Sequence, residues 1–373
     1  MTTTPAENNL GSTLPPILEQ PALLDLMVSD SPRTGDYAPG PYWAGTAAAA
    51  VREIKRHGIG DFRGYTSGVG TSFADHALVD VRLQMDRHPR GRALQLVLQK
   101  VWPFSMVMNA QIALTRSWLL RALSLDAQCL RNSSETQALI ARYSMPESRL
   151  GGCVLTVEIE GQEIAFRYLE MLQRIDRANQ LVPIVGVRSL FEIGGGFGAN
   201  VHLMVENFPH LRKIVYLDIP PNLYVGTCYL RTLYGDAVRD FSTTQSLDRI
   251  VFEDDDSLEI IAIAPWQIED LDVEVDLFWN GDSFVEMPRN VVANYAARVL
   301  ALPGASRTKI VLATYDGGID DVGISSIKLR PDELPAFFPG REFVKSEFLK
   351  VGTEDAEVLP TNKTFLYASD GVG

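Results

Sequence analysis

Two carboxylates frame a run of glycines in this chain of 373 residues. Glu192 stands two positions before Gly194-Gly195-Gly196-Phe197-Gly198, and Asp218 closes the next apolar run, 213–217. A glycine-rich turn leading into a helix N-terminus lets the backbone approach a ligand, because no side chain intervenes. Two ligand classes use that geometry. Gly194, Gly196 and Ala199 satisfy the loose G-x-G-x-x-G/A pattern of dinucleotide sites, with Asp218 in place for a ribose. Glu192 separates the two classes. A pyrophosphate at this turn would meet a carboxylate and be repelled, whereas S-adenosylmethionine presents an ammonium and a sulfonium, which a carboxylate attracts. The pattern E-x-G-x-G-x-G, with an acid ending the following strand, therefore favours S-adenosylmethionine as cofactor. An NAD(P)-dependent oxidoreductase and a βαβ unit without a ligand are the competing readings.

Methyl transfer is a displacement at carbon, so acceptor, methyl and sulfur must lie in line with water shut out. An alcohol acceptor must also lose its proton, which calls for a general base or a metal. Asp282 and Glu286, after the fourth expected strand, are candidate bases, and so is His202, one helical step beyond the glycine turn. The loop 60–76 mixes glycines with Arg63, Tyr65, Ser72, Asp75 and His76, a composition suited to ligand contact and equally to a solvent-facing connector. Together with Ser283 these are the expected acceptor contacts. The expected cofactor contacts are Glu192, Gly194, Gly195, Gly196, Asn200, Asp218 and Ile219. Pro265 and Trp266 join them at the end of the third strand, with Trp266 either stacking on the adenine or serving as core. Asn280 is placed for the amino-acid end of the cofactor. His76 and Asp80, four apart, could share a metal on a helix face, and 253–256 reads as a solvated acidic turn. No metal site is assigned; a divalent ion is compatible with the chemistry without being indicated.

The elements that must position these residues follow from periodicity. Apolar runs at 189–191, 213–217, 258–264, 275–279, 309–315, 342–349 and 364–368 predict seven strands alternating with helices, the last two strands close in sequence. Helices are expected at 42–57, through much of 77–143, at 168–180, from 220 to about 234, and at 290–302. The expected fold class is α/β: a Rossmann-like sheet of the methyltransferase type, its last two strands forming an antiparallel edge, with a mainly helical N-terminal domain. Residues 1–20 read as a disordered tail. Residues 21–180 read as the helical domain or lid, with a β-hairpin near 153–166, and 181–373 as the S-adenosylmethionine-binding domain.

The balance of 34 basic against 47 acidic residues gives a net charge of −13, which argues against nucleic acid or anionic membrane as partner. No run is long enough to span a bilayer, and the first residues lack a basic-then-apolar signal. Three cysteines without a pattern fit a reducing cytoplasm. The expected partner is a small-molecule acceptor, and a helical appendage on this fold is consistent with a homodimer or a lid.

The residues EIGGGFGANVHLMVENFP at 192–209, YLDIPPNLYVGTCYL at 216–230, PWQ at 265–267 and NGDSFVEM at 280–287 resemble the sugar O-methyltransferases of bacterial polysaccharide and natural-product gene clusters. HGIGDFRGY at 57–65 and GTSFADH at 70–76 extend the resemblance over most of the chain from about residue 42. It implies a class I S-adenosylmethionine-dependent methyltransferase (EC 2.1.1.-) acting on a nucleotide-linked or glycoside sugar. The pattern N-x-x-S-F-x-E-M of that family falls on Asn280, Ser283, Phe284, Glu286 and Met287. Asp282, in the variable pair, adds a carboxylate not general to it. Carboxyl- or N-methylation of a natural product or peptide, which needs no strong base, and a catalytically silent relative that binds a partner are the remaining alternatives.

Overall fold

In the computed structural model, residues 14–31, 35–39, 41–63, 128, 130–153, 156–315, 329–349 and 363–371 are described. The chain opens with helices α1 (Pro21–Asp30) and α2 (Pro41–His57). Helix α3 (Ser134–Arg142), the hairpin β1 (Thr156–Ile159) and β2 (Gln162–Ala165), and helix α4 (Phe166–Leu181) follow. Glu160 and Gly161 both have positive φ, 53° and 82°, which gives the hairpin a turn whose twist matches its strands.

The sheet is built from β3 (Ser189–Ile193), β4 (Lys213–Leu217), β5 (Val238–Arg239), β6 (Glu259–Ile263), β7 (Leu277–Gly281), β8 (Lys309–Tyr315), β9 (Val344–Leu349) and β10 (Lys363–Ser369). Its order among the described residues is β5-β6-β4-β3-β7-β8-β10-β9. β5 to β8 pair in parallel, and β10 lies antiparallel to both β8 and β9. This is the mainly parallel sheet with an antiparallel edge that the sequence leads one to expect, with one correction. Among the described residues this sheet has eight strands, not seven, because Val238–Arg239 adds a two-residue edge that is too short to carry an alternation signal.

Successive strand residues point to opposite faces, and each face has its own core. Leu190, Ile214, Ile260 and Leu277 belong to one cluster, and Phe191, Val215, Ile261 and Phe278 to the other. Burial on both faces explains why β3 and β6 are buried at every position and mostly apolar. Helices α5 (Ala199–Asn207) and α6 (Pro220–Tyr234) cover the first face. The described N-terminal elements bury their apolar side chains in the same cluster, including Leu23, Leu24 and Met27 of α1 and Leu169 and Leu172 of α4. Each such side chain contributes about 1.5–3 kcal/mol. Helix α8 covers the second face; it runs from Arg289 to Ala301 and follows a four-residue helix α7 (Phe241–Thr244) in chain order.

One boundary moves by two residues, with a consequence for the site. The fourth expected strand, 275–279, is β7, Leu277–Gly281. The Asp276 carboxylate accepts the backbone N–H groups of Arg188 and Ser189 at 2.8 and 3.2 Å, so the chain is pinned beside the head of β3 before pairing begins at Leu190↔Leu277. Asn280 therefore lies inside the strand. The acidic stretch at 253–256 is partly tied down: Lys213 Nζ donates to Asp255 at 2.9 Å and to Glu259 at 3.1 Å.

Candidate active site

The chain leaves β3 for β4 and β6 on one side and returns to β7 on the other. Its topological switch point is thus the crevice at the carboxyl ends of β3 and β7, where open α/β sheets bind ligands. A cavity of about 360 Å³ opens there. Glu192, Gly194, Gly195, Gly196, Asn200, Asp218 and Ile219 line its β3–β4 side, and Asp282, Ser283 and Glu286 line its β7 side.

The turn after β3 requires its glycines. Gly194, Gly196 and Gly198 have φ of +75°, +62° and +88°, a region that side-chain-bearing residues rarely adopt. A Cβ on Gly194 would lie 2.2 Å from Ser283 Oγ, so the turn packs directly against the 283–286 segment. Gly194 N–H bonds the Leu217 carbonyl at 2.8 Å, fixing the turn beside the end of β4.

Glu192 is buried at the end of β3. Its Oε1 accepts Asn200 Nδ2 at 2.9 Å, while Oε2 has no hydrogen-bond partner. Burial pushes the carboxyl up to about 8, against the Asn200 hydrogen bond and with help from the nearby Asp218 charge. Asp218 accepts Gly196 N–H at 2.8 Å on Oδ2 and Ile219 N–H at 2.7 Å on Oδ1. It rises to about 7, again through burial, partly offset by those donors and Asn222. Each Asp218 oxygen keeps one lone-pair direction for a ligand donor.

On the β7 side, Asp282 has φ +66°, and its N–H bonds the Ala313 carbonyl at 2.8 Å. A non-glycine residue held in this region costs on the order of 1 kcal/mol. Arg174 Nη1 of α4 donates to Asp282 Oδ2 at 2.8 Å, while the buried Oδ1 has no partner. Tyr315, at the end of β8, donates its hydroxyl to Glu286 Oε1 at 2.8 Å. Arg167, Met171 and Arg174 reach the cavity from one face of α4, at spacing i, i+4, i+7. The segment 35–39 closes another edge: Tyr37 packs on Tyr295 with ring centroids 5.0 Å apart and donates to Glu269 at 2.6 Å.

Several residues expected at the site lie elsewhere. His202 does not line the cavity. It is buried on α5 with Nδ1 2.8 Å from the Tyr168 hydroxyl and 3.1 Å from that of Tyr229. Those two hydroxyls are also hydrogen-bonded to each other. Burial lowers His202 to about 4, so it is neutral near pH 7. The reason is that α5 is buried from Ala199 to Met204, leaving no solvent face for the ring. Asn280 is buried behind the cavity wall: its Nδ2 donates to the Ile193 carbonyl at 2.9 Å and to Ser283 Oγ at 2.6 Å, clasping β7 to β3. Pro265 and Trp266 are not lining residues; the Trp266 ring meets Phe241 edge-on at 5.9 Å, because the 3₁₀ turn Pro265–Asp270 carries it toward α7. Arg63 is also buried away from the cavity. Its Nη1 donates to the Ser148 and Leu150 carbonyls at 2.5 and 3.3 Å, and its guanidinium lies 4.8 Å from the Phe197 ring centroid. Tyr65, Ser72, Asp75 and His76 lie outside the described residues.

Sequence reasoning missed Arg174, Tyr315 and Tyr37. The i, i+4, i+7 spacing on α4 was the available signal for Arg174; nothing local marks the other two. Among the described residues no group of three or more His, Cys, Asp or Glu could hold a metal ion, and no helix is long and apolar enough to cross a membrane.

No protein-family model matches the chain, and no curated protein matches it in sequence. Among solved structures it is similar to human N-acetylserotonin methyltransferase in complex with S-adenosylmethionine, at 14% identity over 56% of this chain and 56% of that one, with a TM-score of 0.31. It is similar to Haemonchus contortus phosphoethanolamine N-methyltransferase 2 in complex with S-adenosyl-L-methionine, at 10% identity over 54% of this chain and 52% of that one, TM-score 0.34. It is also similar to MtNAS in complex with MTA and tNA, at 15% identity over 88% of this chain and 98% of that one, TM-score 0.33. The chain spans about half the length of each of the two methyltransferases.

Proposed function

We propose that this protein is an S-adenosylmethionine-dependent methyltransferase that acts on a hydroxyl of a small molecule, with a sugar or glycosylated intermediate as the first candidate. The observation that carries the reading is Glu192 Oε2, a buried carboxylate oxygen without a partner beside a glycine turn at the switch point. Leaving such an atom unpaired is costly, and a cationic ligand group removes the cost where a pyrophosphate would add to it. The residues present therefore fit the cofactor. Glu192 would hold its cationic end, the 194–196 backbone its approach to the turn, and Asp218 the ribose hydroxyls. When bound, the cofactor supplies a methyl group on a sulfonium, ready for in-line displacement. Asp282 and Glu286 line the same cavity and supply acceptor-side carboxylates, while Tyr37 and Tyr295 form part of its wall.

Calorimetric titration with S-adenosylhomocysteine tests the reading, since that product keeps the ammonium and the ribose. Wild type is expected to bind, and Glu192→Gln to bind about 100-fold more weakly, the loss of one buried charge-assisted contact. Absence of binding by wild type at millimolar ligand would sink the proposal. The same substitution is expected to stabilise the ligand-free protein above pH 8. Folding raises the Glu192 pKa to about 8, so the folded state loses stability as pH climbs from the ordinary carboxylate range through that value. Glutamine cannot ionise.

A further inference from the structure

We infer that Arg174 is a positioning residue of the transfer reaction: by holding one oxygen of Asp282, a residue that lines the cavity, it leaves the other, Oδ1, free to take the proton of the acceptor hydroxyl. The inference rests on the methyl-transfer reading above and deepens its acceptor side.

Three observations converge on this pair. Asp282 is one of two non-glycine residues with positive φ among those described; the other, Glu160, occupies the hairpin turn, where such a conformation is expected. At Asp282 no hairpin requires it, and a charged residue stands where glycine would sit without strain. The conformation is fixed from two sides, by the Ala313 carbonyl on the backbone N–H and by Arg174 on Oδ2, each at 2.8 Å. The remaining oxygen, Oδ1, is buried and has no partner. Arg174 is itself buried and comes from α4, 108 positions earlier in the chain, so the pair is a tertiary construction.

The position suits the role. Ser283, next in sequence, packs against Gly194 of the glycine turn, so Asp282 adjoins the place where the methyl donor would lie. Because Arg174 already compensates the Asp282 charge, Oδ1 offers hydrogen-bond acceptance more than net attraction, which suits a neutral hydroxyl better than an ammonium. An acceptor carboxylate would meet both Asp282 and Glu286 and be disfavoured. In the step, the acceptor oxygen bonds the methyl carbon as the carbon–sulfur bond breaks. The electron pair stays on sulfur, leaving a neutral thioether, and the hydroxyl proton passes to Asp282 Oδ1 and then to solvent. Arg174 stays protonated throughout and acts through Asp282.

The test uses labelled S-adenosylmethionine with methyl glucoside, benzyl alcohol, benzoate and benzylamine as probes between pH 6 and 9. Label is expected in the hydroxyl probes. Asp282→Asn is expected to lower kcat about 100-fold with KM little changed, the size of a lost general base. Arg174→Gln should lower kcat about 10-fold, with Arg174→Lys recovering most of it, because lysine restores charge but not the guanidinium geometry. S-adenosylhomocysteine affinity should be unchanged in all three. A readout independent of turnover is the unfolding midpoint of the ligand-free protein. Arg174→Gln should lower it, and Asp282→Asn in that background should give part of it back, a non-additive cycle. Label in benzoate or benzylamine alone, hydroxyl probes untouched at every pH while S-adenosylhomocysteine still binds, or an additive cycle would overturn the inference. Failure of wild type to bind S-adenosylhomocysteine would instead overturn the cofactor reading, and this inference with it.

Discussion

The two sides of the cavity are assembled in opposite ways. The β3–β4 side is local: Glu192, the glycine turn, Asn200 and Asp218 fall within thirty residues, and much of its bonding is to backbone, such as Gly196 and Ile219 N–H on Asp218. The β7 side draws Arg174 from α4, Asp282 and Glu286 from the turn after β7, and Tyr315 from β8, joined by side-chain contacts. A surface that must fit one ligand can be written once in a contiguous unit. One that must fit a variable acceptor is more easily built from separate elements that can change independently.

The comparison predicts that the first side breaks at the backbone and the second at single side chains. The largest effect should come from Gly194→Ala, which places a Cβ against Ser283 Oγ at a φ of +75°. Affinity for S-adenosylhomocysteine should fall about 100-fold or more by calorimetry, since the turn can move only by losing its place beside β4. An intermediate effect, on stability and not on binding, is expected for His202→Phe. Losing the hydrogen bonds to Tyr168 and Tyr229 should cost about 1–3 kcal/mol in denaturant unfolding near pH 7, with cofactor affinity unchanged. Its pH dependence has a definite sign. Folding lowers His202 from 6.5 to about 4, so the unfolded chain binds the extra proton and wild type loses stability as pH falls through that window. The variant should lack that share of the loss. The smallest effect should be Tyr315→Phe, which removes one neutral donor from Glu286 and should change turnover by about fivefold or less.

The same contrast explains what could be read from the sequence. The glycines, Glu192 and Asp218 have meaning at fixed spacing along the chain, so their gathering at one cavity is legible before any coordinates. Asp282 and Glu286 were legible as carboxylates after a strand, but their partners were not. Arg174 looks like one more charge on an amphipathic helix until the helix is laid against β7. His202 illustrates the limit from the other side: spacing placed it near the glycine turn, but its orientation depends on Tyr168 and Tyr229, 34 and 27 positions away. For the fold, Val238–Arg239 escaped because two residues carry no period, and β7 was misplaced by two residues because a side-chain contact of Asp276, not hydrophobicity, sets its start.

The central claim is that Glu192 is a carboxylate kept for a cationic ligand. Proton release on binding S-adenosylhomocysteine tests it most directly, by calorimetry at pH 7 in two buffers of different ionisation enthalpy. Glu192 and Asp218 stand at about 8 and about 7 in the ligand-free protein, and a cation favours their ionised forms. Wild type should therefore release protons on binding and bind more tightly as pH rises from 6 to 8. Glu192→Gln should lose most of that release. Equal heats in the two buffers, with affinity flat across that pH range and unchanged by the substitution, would contradict the account.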